Sequence, residues 1–150
     1  LSLATCFRGT FPTMEEPRVN QRCYLLLGEA PTKEAAARIA EVFSGCPYVY
    51  FMGAFGEMVV GIYYLSGEHQ WWLQAVAENP QATLGLVRAA LYVTDRPVFP
   101  AGMEPRIPKE RGGRSPCGAY CPECPRYRDP CLGCPASRHF LGSSSTGEGK

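Results

Sequence analysis

Two kinds of hydrophobic pattern alternate along residues 21–96. Apolar side chains recur three and four positions apart in 31–45 and in 67–80, as they do on one face of a helix. Four short apolar runs are typical of strands: 22–28, 48–53, 57–65 and 84–95. The order therefore predicts β-α-β-β-α-β. Right-handed crossovers would make it a ferredoxin-like α+β sandwich, a four-stranded antiparallel sheet with both helices on one face.

Start and stop signals support both helices. Thr32 is a candidate N-cap for the first helix and Gly45 a stop, while Asn79 and Pro80 would end the second helix. The predicted buried face of the first helix comprises Ala35, Ile39, Val42 and Phe43. The corresponding face of the second helix comprises Trp72, Leu73, Val76 and Ala77. Each set lies on one face of its helix, so we expect both helices to pack on the sheet through these faces.

Aromatic residues concentrate in the two predicted central strands. With helices on one face of the sheet, some of these residues would remain on the other face, where an apolar patch usually meets a partner. The residues concerned are Tyr48, Tyr50, Phe51, Tyr63 and Tyr64. We therefore expect the body to form at least a dimer through its sheet.

The composition divides the chain into five segments. Hydrophobic residues make up 45% and charged residues 19%, which is ordinary for a protein with a packed core. Nine prolines between Pro97 and Pro135 exclude long helices and central strands there. The segments are an N-terminal segment 1–20, a folded body 21–96, a Pro-rich arm 97–116, a cysteine module 117–141 and a tail 142–150.

The net charge and the length of the apolar runs argue against a nucleic-acid-binding tail and a membrane-spanning segment. The net charge is only +1, well short of a basic nucleic-acid-binding tail. No apolar run reaches the roughly 18–20 residues that cross a bilayer, and the N-terminus lacks the order of a signal peptide. We expect a cytoplasmic protein with no membrane partner. Motifs for hydrolysis or phosphate binding are missing from the sequence, so an enzyme is not expected.

Five of the eight cysteines lie between Cys117 and Cys134, in the spacing C-x3-C-x2-C-x6-C-x2-C. Two C-x2-C knuckles on tight turns can bring four thiolates to one ion, whereas disulfides are the competing interpretation. A cytosolic setting favours the metal. Zinc would use Cys121, Cys124, Cys131 and Cys134, with Cys117 able to substitute. A [4Fe–4S] cluster, which also needs four thiolates, is the alternative.

Basic and aromatic residues surround these cysteines. Arg126, Arg128 and Arg138 could contact the phosphates of a nucleic acid, although Glu123 and Asp129 dilute the charge. The module could also serve stability alone, because about 25 residues bury too little apolar surface to fold without a metal. Both interpretations remain open from the sequence.

The stretch "CPYVYFMGAFGEMVVGIYYLSGEHQWWLQAV" resembles the effector-binding, oligomerising domain of the Lrp/AsnC transcription regulators. Comparable positions are occupied by Pro47, Val49, Gly53, Phe55, Val59 and Val60. Gly56 stands where the family usually has Asp, and Glu57 follows one step later. Residues 1–20 are too few for the family's helix-turn-helix, so DNA recognition of that type is not expected within this chain.

The resemblance implies an oligomer that binds an amino-acid-like ligand near the central hairpin. The implied ligand site is Gly53, Ala54, Phe55, Gly56 and Glu57, where glycines admit a carboxylate and Glu57 meets an amine. The same glycines also suit a plain hairpin turn. We therefore expect a non-enzymatic regulatory protein with a structural zinc knuckle. The alternatives are an iron–sulfur redox sensor or electron carrier, and an assembly component of a nucleoprotein complex.

Overall fold

The computed structural model describes residues 21–94, 97, 100 and 102–142. A single antiparallel sheet of order β2-β3-β1-β4 forms its centre, which confirms the α+β class. The elements are β1 Gln21–Glu29, α1 Lys33–Phe43, β2 Val49–Phe55, β3 Met58–Ser66, α2 Gln70–Glu78, α3 Pro80–Leu84 and β4 Arg88–Thr94. A short 3-10 helix, Cys121–Glu123, follows in the cysteine module.

Two element boundaries differ from the sequence-based prediction. The predicted strand 84–95 begins later, at Arg88, because Pro80 starts the extra helix α3 and Gly85, with φ +68°, ends it. The connection predicted between strands 48–53 and 57–65 is also shorter, since β2 continues through Gly53 to Phe55. Only Gly56 and Glu57 connect β2 to β3. Gly56 has φ +63°, as the first central residue of a II′ turn requires.

Helix α1 begins as predicted and buries a slightly different face. The Thr32 hydroxyl oxygen accepts a hydrogen bond from the Ala35 N–H at 3.1 Å, which confirms the N-cap. Ala36 and Phe43 are buried, but Val42 is 47% exposed, so its predicted place in the core is wrong. Val42 lies one residue before Phe43, and a helix turns by about 100° per residue.

The core lies between the helices and one face of the sheet. Tyr24 and Leu26 of β1 alternate with outward residues and pack in one cluster with Leu73 and Val76 of α2. Tyr63 of β3 is 1% exposed in that cluster, and Tyr48 packs against it. These two tyrosines therefore lie on the helix side of the sheet, and of the predicted aromatic run Phe51 and Tyr64 lie on the other face.

The opposite face of the sheet carries an apolar row across all four strands. Leu25 is the register partner of both Ile62 in β3 and Tyr92 in β4, and Ile62 is the partner of Phe51 in β2. Residues paired in this way share a face. Phe51 is 40% and Tyr92 58% exposed, so the ends of the row are open to solvent. We call these four residues the open-face row.

The segment between β4 and the cysteine module forms hydrogen bonds with residues near the ends of the strands. The Tyr64 hydroxyl donates to the Pro100 carbonyl oxygen at 2.7 Å, and Gln21 exchanges two hydrogen bonds with the backbone of Met103. Arg106 donates from its guanidinium to the Val49 carbonyl oxygen at 2.8 Å. Among the described residues no helix is long and apolar enough to cross a membrane.

Candidate metal centre

A cavity of about 140 Å³ lies between the folded body and the cysteine module. Its walls come from α1, the loop after it, β3, α2 and the module. Six cysteines line it: Cys46, Cys117, Cys121, Cys124, Cys131 and Cys134. A cavity of about 150 Å³ can hold a molecule as large as benzene. The space is therefore larger than a single ion fills.

The five cysteines predicted as ligands all reach this cavity, and the module's turns explain how. The Cys124 N–H donates to the Cys121 carbonyl oxygen at 3.0 Å, and the Ser137 N–H to that of Cys134 at 2.8 Å. Gly118 and Gly133 have φ of +86° and +89°, a backbone region that favours glycine. Tight turns of this kind direct neighbouring sulfurs to one side of the chain.

The sixth cysteine comes from the body. Cys46 lies in the loop between α1 and β2, and its N–H donates to the Phe43 carbonyl oxygen at 2.9 Å. No sequence pattern grouped Cys46 with the module, because about seventy residues separate it from Cys117. The tertiary structure brings both residues to the wall of the same cavity.

The thiols share a cavity wall but are not grouped as a closed metal site. All seven described cysteines are free, and no three His, Cys, Asp or Glu residues within the described ranges are grouped so as to hold one ion. A closed zinc site needs four sulfurs about 2.3 Å from the metal, hence about 3.8 Å from one another. The described residues do not form such a closed zinc knuckle.

Burial raises the pKa of several of these thiols. It raises the pKa of Cys134 to about 12, and the neighbouring thiols of Cys46, Cys117 and Cys121 add to the rise. Burial also raises the pKa of Cys131, and there the further contributions come from Cys124 and Cys121.

Two buried hydrogen-bond donors at the cavity lack acceptors. Neither the Trp71 indole N–H nor the Tyr63 hydroxyl has a hydrogen-bond partner in the part of the chain that the structure describes. Both residues line the cavity. The Trp71 N–H faces Cys131 and lowers the pKa of its thiol, against the larger effect of burial, although this contact falls short of hydrogen-bond geometry. A buried donor without an acceptor is costly. An anionic sulfur within the cavity would satisfy it.

The body and the module also meet through His69. Its Nε2 lies 3.4 Å from the Tyr48 hydroxyl oxygen and 3.3 Å from the Gly133 carbonyl oxygen. Its ring packs against the Tyr48 ring at 4.8 Å between centroids. His69 therefore connects the start of α2 to the turn before Cys134.

The hairpin residues proposed to bind a ligand lie elsewhere. Gly53, Ala54, Phe55, Gly56 and Glu57 form the end of β2 and its turn, and none of them lines the cavity. The Phe55 ring stacks on the Phe51 ring at 6.4 Å, and the Glu57 carbonyl oxygen accepts from the Ala30 N–H. The turn geometry is confirmed, and the ligand remains a prediction.

The three arginines considered for nucleic-acid contact lie against the protein's own groups. The Arg126 guanidinium lies 5.3 Å from the Trp71 ring centre, and that of Arg128 lies 5.5 Å from Tyr127. The Arg138 N–H donates to the Gly112 carbonyl oxygen at 2.9 Å. Two of the three side chains thus cover aromatic rings, and nucleic-acid contact remains a prediction.

Comparison of the chain with protein-family models, with curated proteins and with solved structures finds no match. The resemblance to the Lrp/AsnC domain therefore stays a prediction. The geometry of the chain's own residues is what supports a function.

Proposed function

We propose that this chain is a non-enzymatic regulatory protein that holds an iron–sulfur cluster between its α+β body and its cysteine module. The cluster would sense redox conditions or relay electrons. The observation that carries the proposal is the six-cysteine cavity of about 140 Å³. Iron–sulfur clusters are held by cysteine thiolates, four for a [4Fe–4S] cluster, and six cysteines supply more than that number.

The size of the site favours a cluster over the zinc knuckle expected from the sequence. Four thiolates around zinc enclose the ion and leave no room for water. Here the cysteines line a space that could admit a benzene-sized group. A cluster carries several metal ions and inorganic sulfides, so it needs such a space and a wider ring of ligands.

The two buried hydrogen-bond donors of Trp71 and Tyr63 also favour a cluster over a zinc ion. Hydrogen bonds to cluster sulfurs are one of the ways in which a protein sets the reduction potential. Trp71 and Tyr63 offer an N–H and an O–H at the cavity wall, where the described part of the chain supplies no acceptor. Sulfide and thiolate sulfurs of a cluster would accept from these donors.

The body would supply oligomerisation and ligand sensing. The order β-α-β-β-α-β and the central position of β1 and β3 support a ferredoxin-like sandwich with the cysteine module appended to it. The open-face row supports pairing of two sheets, since an isologous interface needs a self-complementary apolar patch. Free thiols at all seven described cysteines fit the reducing cytoplasm.

Metal analysis of the full chain, purified without oxygen, tests the proposal. We expect iron and acid-labile sulfide in equal amounts, broad visible absorption, and loss of that absorption in air or on oxidation. Bound zinc near one equivalent per chain, with neither iron nor sulfide after anaerobic reconstitution, would establish the zinc knuckle and overturn the cluster. Two disulfides among the module's cysteines under reducing purification would overturn both metals.

A further inference from the structure

We propose that Cys46, in the loop between α1 and β2, is a ligand of the metal centre and joins the folded body to the cysteine module. This inference rests on the proposed function and deepens it, because it assigns a ligand from outside the cysteine-rich stretch. Cys46 lines the cavity together with the five cysteines of the module.

The surroundings of Cys46 hold its backbone in place at the cavity wall. The Cys46 N–H donates to the Phe43 carbonyl oxygen at 2.9 Å, and the Cys46 carbonyl oxygen accepts from the Val49 N–H at 3.3 Å. The buried Pro47 follows it and accepts a hydrogen bond from the Arg106 N–H at 3.0 Å. A ligand on a backbone fixed in this way needs little reorganisation to bind.

The partners of Cys46 can be identified among the other thiols. They would come from the five module cysteines that line the same cavity: Cys117, Cys121, Cys124, Cys131 and Cys134. A [4Fe–4S] cluster requires four thiolates, so Cys46 and three of these residues would complete it.

Among these six cysteines Cys46 alone comes from the folded body. Each cysteine that binds would give up its thiol proton.

If Cys46 is a ligand, the metal centre would link the folded body to the cysteine module. Gly45 already lies against Pro116, since a Cβ atom built on Gly45 would come within 3.2 Å of Pro116 Cβ. Loss of the cluster would remove the covalent link across this contact. Oxidative loss of the cluster would then release the module from the body. This conformational change would be the signal of the proposed redox sensor.

The experiment compares Cys46→Ser with Cys23→Ser in the full chain. Cys23 is a matched control, because it lies in β1 on the sheet face opposite the cavity, where its register partner is Tyr64. We expect the Cys46→Ser protein to lose more than half of its iron or to show an altered electron paramagnetic resonance spectrum. The Cys23→Ser protein should keep the iron content and the spectrum of the wild type.

A second measurement uses the wild-type chain, so that it does not depend on the variant folding. Thiols are alkylated in the cluster-loaded and in the chelator-treated protein, and each cysteine is quantified by mass spectrometry. Cys46 should be protected only in the loaded form, whereas Cys23 should react equally in both. Equal labelling of Cys46 in the two forms, in a protein that does carry iron and sulfide, would overturn this inference alone. A wild type without iron and sulfide would overturn the proposed function itself.

Discussion

The Nε2 atom of His69 lies 3.3 Å from the carbonyl oxygen of Gly133, so the start of α2 contacts the turn that leads to Cys134. A single hydrogen bond of this kind contributes roughly 0.5–1.5 kcal/mol to stability. The module also contacts the body at the cavity wall and through Arg126 on the Trp71 ring. If the proposed metal centre forms, the module would depend on it more than the body does, since the body has its own core.

Cys131→Ser tests this dependence of the module. Cys131 is buried at the cavity wall. We expect the variant to have a weakened centre and to be cut by protease within 117–141, while the sheet and helices stay folded. Limited proteolysis with mass spectrometry, together with circular dichroism, measures both effects. Cys23→Ser is the control, and simultaneous unfolding of the body would contradict the prediction.

Trp71→Phe tests the role of the unpaired indole N–H. Its Nε1 is buried without a partner among the described residues and is near Cys131. Hydrogen bonds to cluster sulfurs stabilise the reduced, more negative state, so their removal should lower the reduction potential. We expect a lower potential by redox titration at unchanged iron content.

The matched change is Trp72→Phe, because Trp72 packs against Phe43 with ring centres 5.2 Å apart. That variant should alter packing and stability more than the potential. Equal potentials in Trp71→Phe and the wild type would show that the indole N–H does not reach a sulfur.

Ile62→Lys tests the interface between two sheets. Ile62 occupies the middle of the open-face row, between Leu25 and Phe51. A lysine there would place a charge within an apolar interface, so the dimer should dissociate. Sedimentation velocity at micromolar concentration should show a dimer for the wild type and a monomer for the variant.

Val42→Lys is its control, since Val42 is an exposed apolar residue on α1, on the other side of the sheet. The control variant should remain a dimer. A monomeric wild type would rule out the proposed sheet pairing.

Gly56→Val tests the hairpin turn. Gly56 has φ +63°, and no heavy atom would lie within 4 Å of an added Cβ, so the expected cost comes from the backbone and not from crowding. A residue with a side chain in that region costs about 1–2 kcal/mol. We expect a loss of that size by chemical denaturation. Gly67→Val, also in open space but without positive φ, should cost clearly less.

Glu57→Ala tests the ligand predicted at the same turn. The Glu57 side chain is exposed and its backbone carbonyl oxygen bonds to Ala30, so the substitution should leave the fold intact. If an amino-acid-like ligand binds there through its amine, calorimetry with a panel of amino acids should show binding to the wild type only. Equal affinity in the variant would place the ligand elsewhere.

Local patterns predicted most of the body, because the signals lie within a few residues of what they control. Thr32 caps α1 through an N–H three residues away, and the strands follow their apolar runs. The boundary of β4 was missed because Pro80 can both end one helix and begin another.

The candidate site was predicted only in part, because some of its residues are distant from one another in the sequence. The spacing of the module's cysteines indicated a metal, since those ligands are close in sequence. Cys46, Trp71 and Tyr63 reach the cavity only through tertiary packing, and no local pattern reports such a contact. An unpaired Cys in the loop after a predicted helix, beside a cysteine-rich module, is the only sequence signal that could have suggested it.

The positions of Cys46 and Cys134 along the chain set an order of events during synthesis. Cys46 leaves the ribosome before β2, whereas Cys134 follows only after β3, both later helices and β4. Domains commonly fold as they emerge, so the sheet can form before the module's cysteines are synthesised. Insertion of the proposed cluster would then be the final step of maturation. A nascent chain arrested before Cys117 would hold a finished sheet and no iron.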